Sequence, residues 1–152
     1  MDYGAHLPLI DFEGGRPTLA DLRAYARRAA ALGYRFLGVN DHLVFSRPWL
    51  DGPMALAATI DAAADMTIAT TVSLPVVRGP VQTAKTLAAL DVLSGGRLLA
   101  GVGPGSSPRD YAAAGVVFQE RWGRFDEAIR VLRSLLGGDE SLTRRACALR
   151  RR

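Results

Sequence analysis

Apolar residues fall along this chain in short runs set at a constant step. Ala5, Phe36, Thr67 and Leu98 stand 31 residues apart, and each opens one such run. The runs are β-branched or leucine-rich and nearly continuous in hydrophobicity, as strands buried on both faces must be. They predict strands at Ala5–Ile10, Arg35–Asn40, Thr67–Ser73 and Arg97–Val102.

Between the runs the period changes from two to near four. Leu19, Leu22, Ala26 and Ala29 recur at helical spacing after Thr18, which is a natural N-cap with Asp21 three residues on. Gly33 is a fitting stop for that helix. A second helix is predicted from about Pro53 to Ala64. A third runs from near Pro80, with proline in its first turn, to Ser94-Gly95-Gly96. After a long loop from Gly103 to about Gln119, Trp122, Phe125, Ile129, Leu132 and Leu136 share one face of a fourth helix and read as core.

Strict strand–helix alternation implies parallel strands with right-handed crossovers. Four units of this length form the first half of a (β/α)₈ TIM barrel, whose whole takes about 250 residues. The expected organisation is therefore a partial barrel domain over residues 1–140 and a basic tail over residues 141–152. An amphipathic helical end would suit the tail. The reading favoured is an out-of-frame terminus in place of the second half, a truncated chain.

Composition changes this picture little. The net charge is +4, but the tail alone holds five arginines and no acid, so the remainder is slightly acidic. A short basic tail attracts polyanions without specificity, and no specific nucleic-acid partner is expected. The single cysteine excludes an internal disulfide and fits a reducing compartment. No run approaches the roughly 18 apolar residues of a membrane span, and the expected location is cytoplasmic. No metal site is expected. Open strand edges favour self-association or a homo-oligomer.

In parallel α/β folds, ligands bind at the carboxyl ends of the strands. That rule selects Asp11, Asn40-Asp41-His42, Thr70 to Pro75, and Gly103 to Pro108. Asp41 and His42 are the sharpest pair, because an adjacent carboxylate can orient a histidine and stabilise its charged form. A loop-capping Asp41 beside a satisfied turn histidine would look the same. The hydroxyls of Thr70, Thr71 and Ser73 suit bonding within the sheet. Gly101 to Ser106 lacks the final glycine and early helix of a dinucleotide fingerprint, which argues against an open nucleotide-binding sheet. What it offers is a strand end where backbone can approach a flat ligand, or a plain flexible loop. His6 reads as a satisfied core residue, and Arg121 and Arg124 as flanking charges.

Four segments carry a resemblance: Asn40-Asp41-His42-Leu43, PVVRGPVQTAKT from Pro75, LAALDVLSGGRLLAGVGPG from Leu87, and FQERWGRFDEAIRVLRSLL from Phe118. With their order and spacing, the chain resembles the luciferase-like monooxygenase superfamily over residues 5–138. The resemblance implies a TIM-barrel oxidoreductase with its cofactor ring over the carboxyl-end rim. In the branch that uses coenzyme F420, Asp41 and His42 match a pair facing the deazaflavin. Thr71-Val72 matches a non-proline cis peptide that supports the ring, and Gly103, Gly105 and Ser106 would line its other side. Ser106-Ser107 stand where an aromatic and a polar residue are common. The implied chemistry is hydride transfer with a small organic substrate, with His42 as proton donor or stabiliser and Asp41 orienting it. The alternatives are an FMN-dependent monooxygenase of the same superfamily, or a non-catalytic half-barrel that self-associates. The cofactor phosphate would be gripped by the barrel's other half.

Overall fold

A computed structural model describes residues 1–10, 14, 15 and 17–137. Asp11 and the tail at 141–152, singled out above, lie outside the described residues. The elements are β1 (Gly4–His6), α1 (Leu19–Ala31), β2 (Phe36–Val39), α2 (Gly52–Ala57), β3 (Thr67–Ser73), α3 (Pro75–Arg78), α4 (Pro80–Leu93), β4 (Leu98–Val102), α5 (Pro108–Ala113) and α6 (Arg121–Leu136). The strands form one parallel sheet in the order β1-β2-β3-β4. This is a half (β/α)₈ barrel, with the strands in consecutive order as the repeat implies.

The register explains the repeat. Ala5 pairs with Leu37, Leu37 with Ile68 and Ile68 with Leu98, so these four lie side by side across the sheet. That row faces the helices: Leu37 and Ile68 are fully buried in the main core with Leu22, Ala26, Leu56 and Leu90. Each large apolar side chain so buried contributes about 1.5–3 kcal/mol. Phe36 and Thr67 form the neighbouring pair on the other face. The constant step thus marks where the runs open, while the buried row is offset by one residue at β2 and β3.

Local chemistry sets the ends of α1. Thr18 and Asp21 form a capping box: the Thr18 Oγ1 accepts the Asp21 N–H at 3.3 Å and Asp21 Oδ2 accepts the Thr18 N–H at 2.8 Å. The Thr18 hydroxyl also donates to Asp21 Oδ2 at 2.7 Å, and that bond together with the Thr18 N–H holds the Asp21 carboxyl below its usual range. Two smaller cores lie toward the carboxyl ends of the strands and along α6. Leu74, Val77 and Tyr111 form one, and Ala84, Leu132 and Leu135 the other.

Several expectations are corrected. β1 is shorter than Ala5–Ile10; past His6 the chain leaves the ladder, and Ile10 instead bridges Trp49. The second helix stops at Ala57, because the Thr59 hydroxyl bonds back to the Ala55 and Leu56 carbonyls and a single 3₁₀ turn, Ile60–Ala62, follows. The loop after β4 contains α5 and a 3₁₀ turn at Phe118–Glu120. On α6 the buried line is Ala128, Leu132 and Leu135, and Trp122 is 60% exposed, so the stripe read as core is turned partly outward. His6 is exposed rather than core, with Nδ1 3.0 Å from the Leu7 carbonyl. Arg124 pairs with Glu120 at 2.7 Å, while the Arg121 guanidinium lies over the Phe118 ring. No described helix is long and apolar enough to cross a membrane.

Candidate functional site at the carboxyl ends of the strands

The ends of β2, β3 and β4 meet through side chains that the sheet places there. Thr71 Oγ1 donates to the Val39 carbonyl at 3.1 Å, and Thr70 Oγ1 to the Gly101 carbonyl at 2.7 Å. These hydroxyls bond within the sheet, as their composition suggested. The Thr71-Val72 peptide is cis. Val72 is 37% exposed, and its Cγ2 lies 2.9 Å from where a Cβ on Gly103 would stand. Any larger residue at 103 would displace Val72, so the glycine is required by this approach. Gly103 is buried, Gly105 half-buried and Ser106 exposed.

Asp41 follows β2 and is 4% exposed. Both its oxygens are taken by Arg78, Oδ2 by Nε at 2.5 Å and Oδ1 by Nη2 at 2.6 Å, and the Leu74 N–H also reaches Oδ2 at 3.4 Å. Arg78 ends α3 and also pairs with Asp51, whose other oxygen caps α2 by accepting the Met54 N–H at 2.9 Å. Hydrogen bonding to Asp41, opposed by burial, drives the Arg78 guanidinium above its usual range. This arginine carries its charge at every accessible pH. It was not anticipated, since Arg78 and Asp41 lie 37 residues apart.

His42 has a different carboxylate. Its Nδ1 is 2.8 Å from Oδ2 of Asp110, a residue of α5 that is 1% exposed. Asp110 Oδ1 accepts the Leu43 N–H at 3.1 Å and the Val44 N–H at 2.7 Å. The expectation that Asp41 orients His42 is therefore corrected: Arg78 occupies Asp41, and the orienting carboxylate arrives from beyond β4. The one available signal was Ser107 three residues before Asp110; the Ser107 side chain caps α5 by accepting the Asp110 N–H. The imidazole is further held by Trp49, with ring centroids 4.6 Å apart, and by Phe45 at 5.4 Å. Tyr111 anchors α5 against the β4 loop by donating to the Pro104 carbonyl at 2.5 Å, and burial pushes its phenol pKa up.

Two buried polar atoms at this end, Asn40 Oδ1 and Trp49 Nε1, have no hydrogen-bond partner among the described residues. Buried polar atoms are seldom left so, and one is an acceptor and the other a donor. Among the described residues no group of acids, histidines and cysteines is arranged to hold a metal ion.

Residues 5–151 match the family model described as luciferase-like monooxygenase. The chain belongs to that family. Among its relatives, an F420-dependent glucose-6-phosphate dehydrogenase of Amycolatopsis mediterranei is 34% identical over 78% of this chain and 38% of its own length. A 4-hydroxyprotoasukamycin monooxygenase of Streptomyces nodosus subsp. asukaensis is 33% identical over 95% of this chain and 40% of its own length. Among solved structures, monooxygenase RslO1 from Streptomyces bottropensis superposes with a TM-score of 0.75 at 26% identity, covering 89% of this chain and 43% of that one. The chain thus spans less than half the length of the relatives it matches. Within this luciferase-like family, both deazaflavin-dependent dehydrogenases and monooxygenases stand as relatives.

Proposed function

We propose that the chain forms the ring-facing rim of an F420-dependent oxidoreductase that passes a hydride between the deazaflavin and a small organic substrate. The observation that carries this reading is His42: a partly buried imidazole at the strand ends, fixed at Nδ1 by a buried carboxylate and held by two aromatic rings. F420 dependence in the Amycolatopsis relative supports the choice of cofactor.

The residues present fit a flat heteroaromatic ring with hydrogen-bonding edges. At this end a Cβ on Gly38 would fall 3.5 Å from Thr71 Oγ1 and one on Gly101 would strike the Thr70 carbonyl, so both glycines let the backbone pack closely against Thr71 and Val72. Val72 supplies an apolar bearing surface, and the orphaned Asn40 Oδ1 is an acceptor awaiting a donor. Val72 would support the ring, with Thr71, Asn40 and the Gly103, Gly105 and Ser106 loop around it. When bound, the deazaflavin would supply or accept the hydride. His42 would hold or deliver the proton that balances the change at the substrate oxygen. Asp41, with Arg78, would keep the rim in place and touch the ring's surroundings, without acting on His42. By the family resemblance, the cofactor's phosphate would be gripped by the barrel's other half. The single cysteine suits a cytoplasmic setting, and the edges of β1 and β4, unpaired among the described residues, would pair with another copy or another half.

The FMN-dependent monooxygenase remains a second reading, favoured by the monooxygenase relative that matches 95% of the chain. Titrating the purified chain with F420 and with FMN, followed by absorbance and fluorescence, separates them. Saturable binding of F420 at micromolar concentration, tighter than FMN, is expected. Tighter FMN binding with oxygen uptake would favour the second reading. Binding of neither would leave a non-catalytic half-barrel.

A further inference from the structure

We infer that Asp110 is a positioning residue that fixes the tautomer of His42, so that Nε2 is the one atom at which this imidazole gains and loses its proton. The argument begins with donors that cannot change role. The Leu43 and Val44 N–H groups can only donate, and both donate to Oδ1 of Asp110. An ionised carboxylate has no proton to give. The Nδ1 facing Oδ2 at 2.8 Å must therefore carry the hydrogen. In the neutral ring Nε2 is then the bare nitrogen, and no described residue bonds to it. Phe45 and Trp49 restrict the ring from turning to exchange the two nitrogens.

The same bond count makes an isosteric substitution informative. Asp110→Asn keeps shape and burial but has one acceptor oxygen and one donor nitrogen. Two fixed N–H donors need the oxygen, which places the amide NH₂ against Nδ1. Nδ1 must then accept, and the ring proton moves to Nε2. A purely structural Asp110 would show loss of stability without this exchange. The inference concerns the chain itself; it rests on the functional reading above only for its consequence, that the wrong nitrogen would then face the reactants.

The test is the tautomeric state of His42 read from the nitrogen shifts of the ¹⁵N-labelled full chain, at about two pH units above the ordinary imidazole pKa of about 6.5. With two histidines the spectrum is sparse, and a His6→Gln variant assigns it. His6, whose Nδ1 faces the Leu7 carbonyl at 3.0 Å, serves as the internal reference that should not change. The native chain should show His42 protonated at Nδ1, and Asp110→Asn should show it protonated at Nε2. A native His42 protonated at Nε2, or an Asp110→Asn variant that keeps the Nδ1 proton, would overturn the inference. If Asp110→Asn loses amide dispersion and with it the fold, the native spectrum still decides. Failure of F420 to bind would leave this result untouched, so the two readings fail separately.

Discussion

The two ends of the sheet each hold a partly buried arginine, and they use it differently. At the amino end, Arg97 donates to the carbonyls of Ala64, Met66 and Ser94 at 2.6–2.8 Å. Its partners are neutral backbone groups, and the arrangement ties the start of β4 to the turn before β3. At the carboxyl end, Arg78 clasps two carboxylates, beside a histidine with its own buried acid. Among the described residues, the buried polar atoms without partners, Asn40 Oδ1 and Trp49 Nε1, both lie at this end. The comparison teaches that the amino end is tied by bonds to neutral backbone, whereas the carboxyl end gathers paired charges and two buried polar atoms without partners among the described residues.

The largest effect that would sharpen this contrast is on turnover. His42→Ala should leave the fold intact and lower kcat about 10²–10⁴-fold, the usual worth of a general acid or base, measured with F420 and whichever substrate proves competent. Normal turnover would remove His42 from the chemistry.

Next come the two arginines. Arg78→Ala leaves the buried Asp41 charge without its partner and should cost about 3–5 kcal/mol in urea unfolding. Arg97→Ala removes bonds from a cation to neutral carbonyls and strands no buried charge, and should cost about 1.5–3 kcal/mol. Equal losses would erase the distinction drawn between the two ends.

The smallest effect is at the start of α1, where Thr18→Ala should cost about 1 kcal/mol. The Asp21 carboxyl is depressed in the folded state by the Thr18 bonds. Its contribution is therefore fully present above the ordinary carboxylate pKa and fades as pH falls through the lowered one. Stability measured against pH should lose the larger part of that acid limb in the Thr18→Ala variant, which keeps only the bond from the backbone N–H of residue 18.

Much of the fold was legible because it depends on near neighbours in sequence. The run at Thr67–Ser73 and the Thr18 cap emerge at the expected residues, since buried parallel strands and capping boxes leave local marks. The end of α2 was missed because a threonine hydroxyl bonding backward looks no different from any other threonine in a helical stretch. Trp122 was misplaced because spacing shows which residues share a face, not which way it turns. At the site, Asp41 and His42 were found by their place after a strand. Their true partners, Arg78 and Asp110, lie 37 and 68 residues away. Adjacency in sequence suggested an Asp41–His42 bond, but each side chain found a better-placed partner from another loop once the strands were side by side.

The central claim is that the carboxyl-end rim receives a deazaflavin ring, and amide chemical shifts of the full chain titrated with F420 test it most directly. The account predicts saturable shifts at Asn40–His42, Thr71–Val72 and Gly103–Ser106, with Gly33, Asp65 and Gly96 at the opposite end unmoved. Saturable shifts confined to the opposite end, or spread evenly over both, would contradict it.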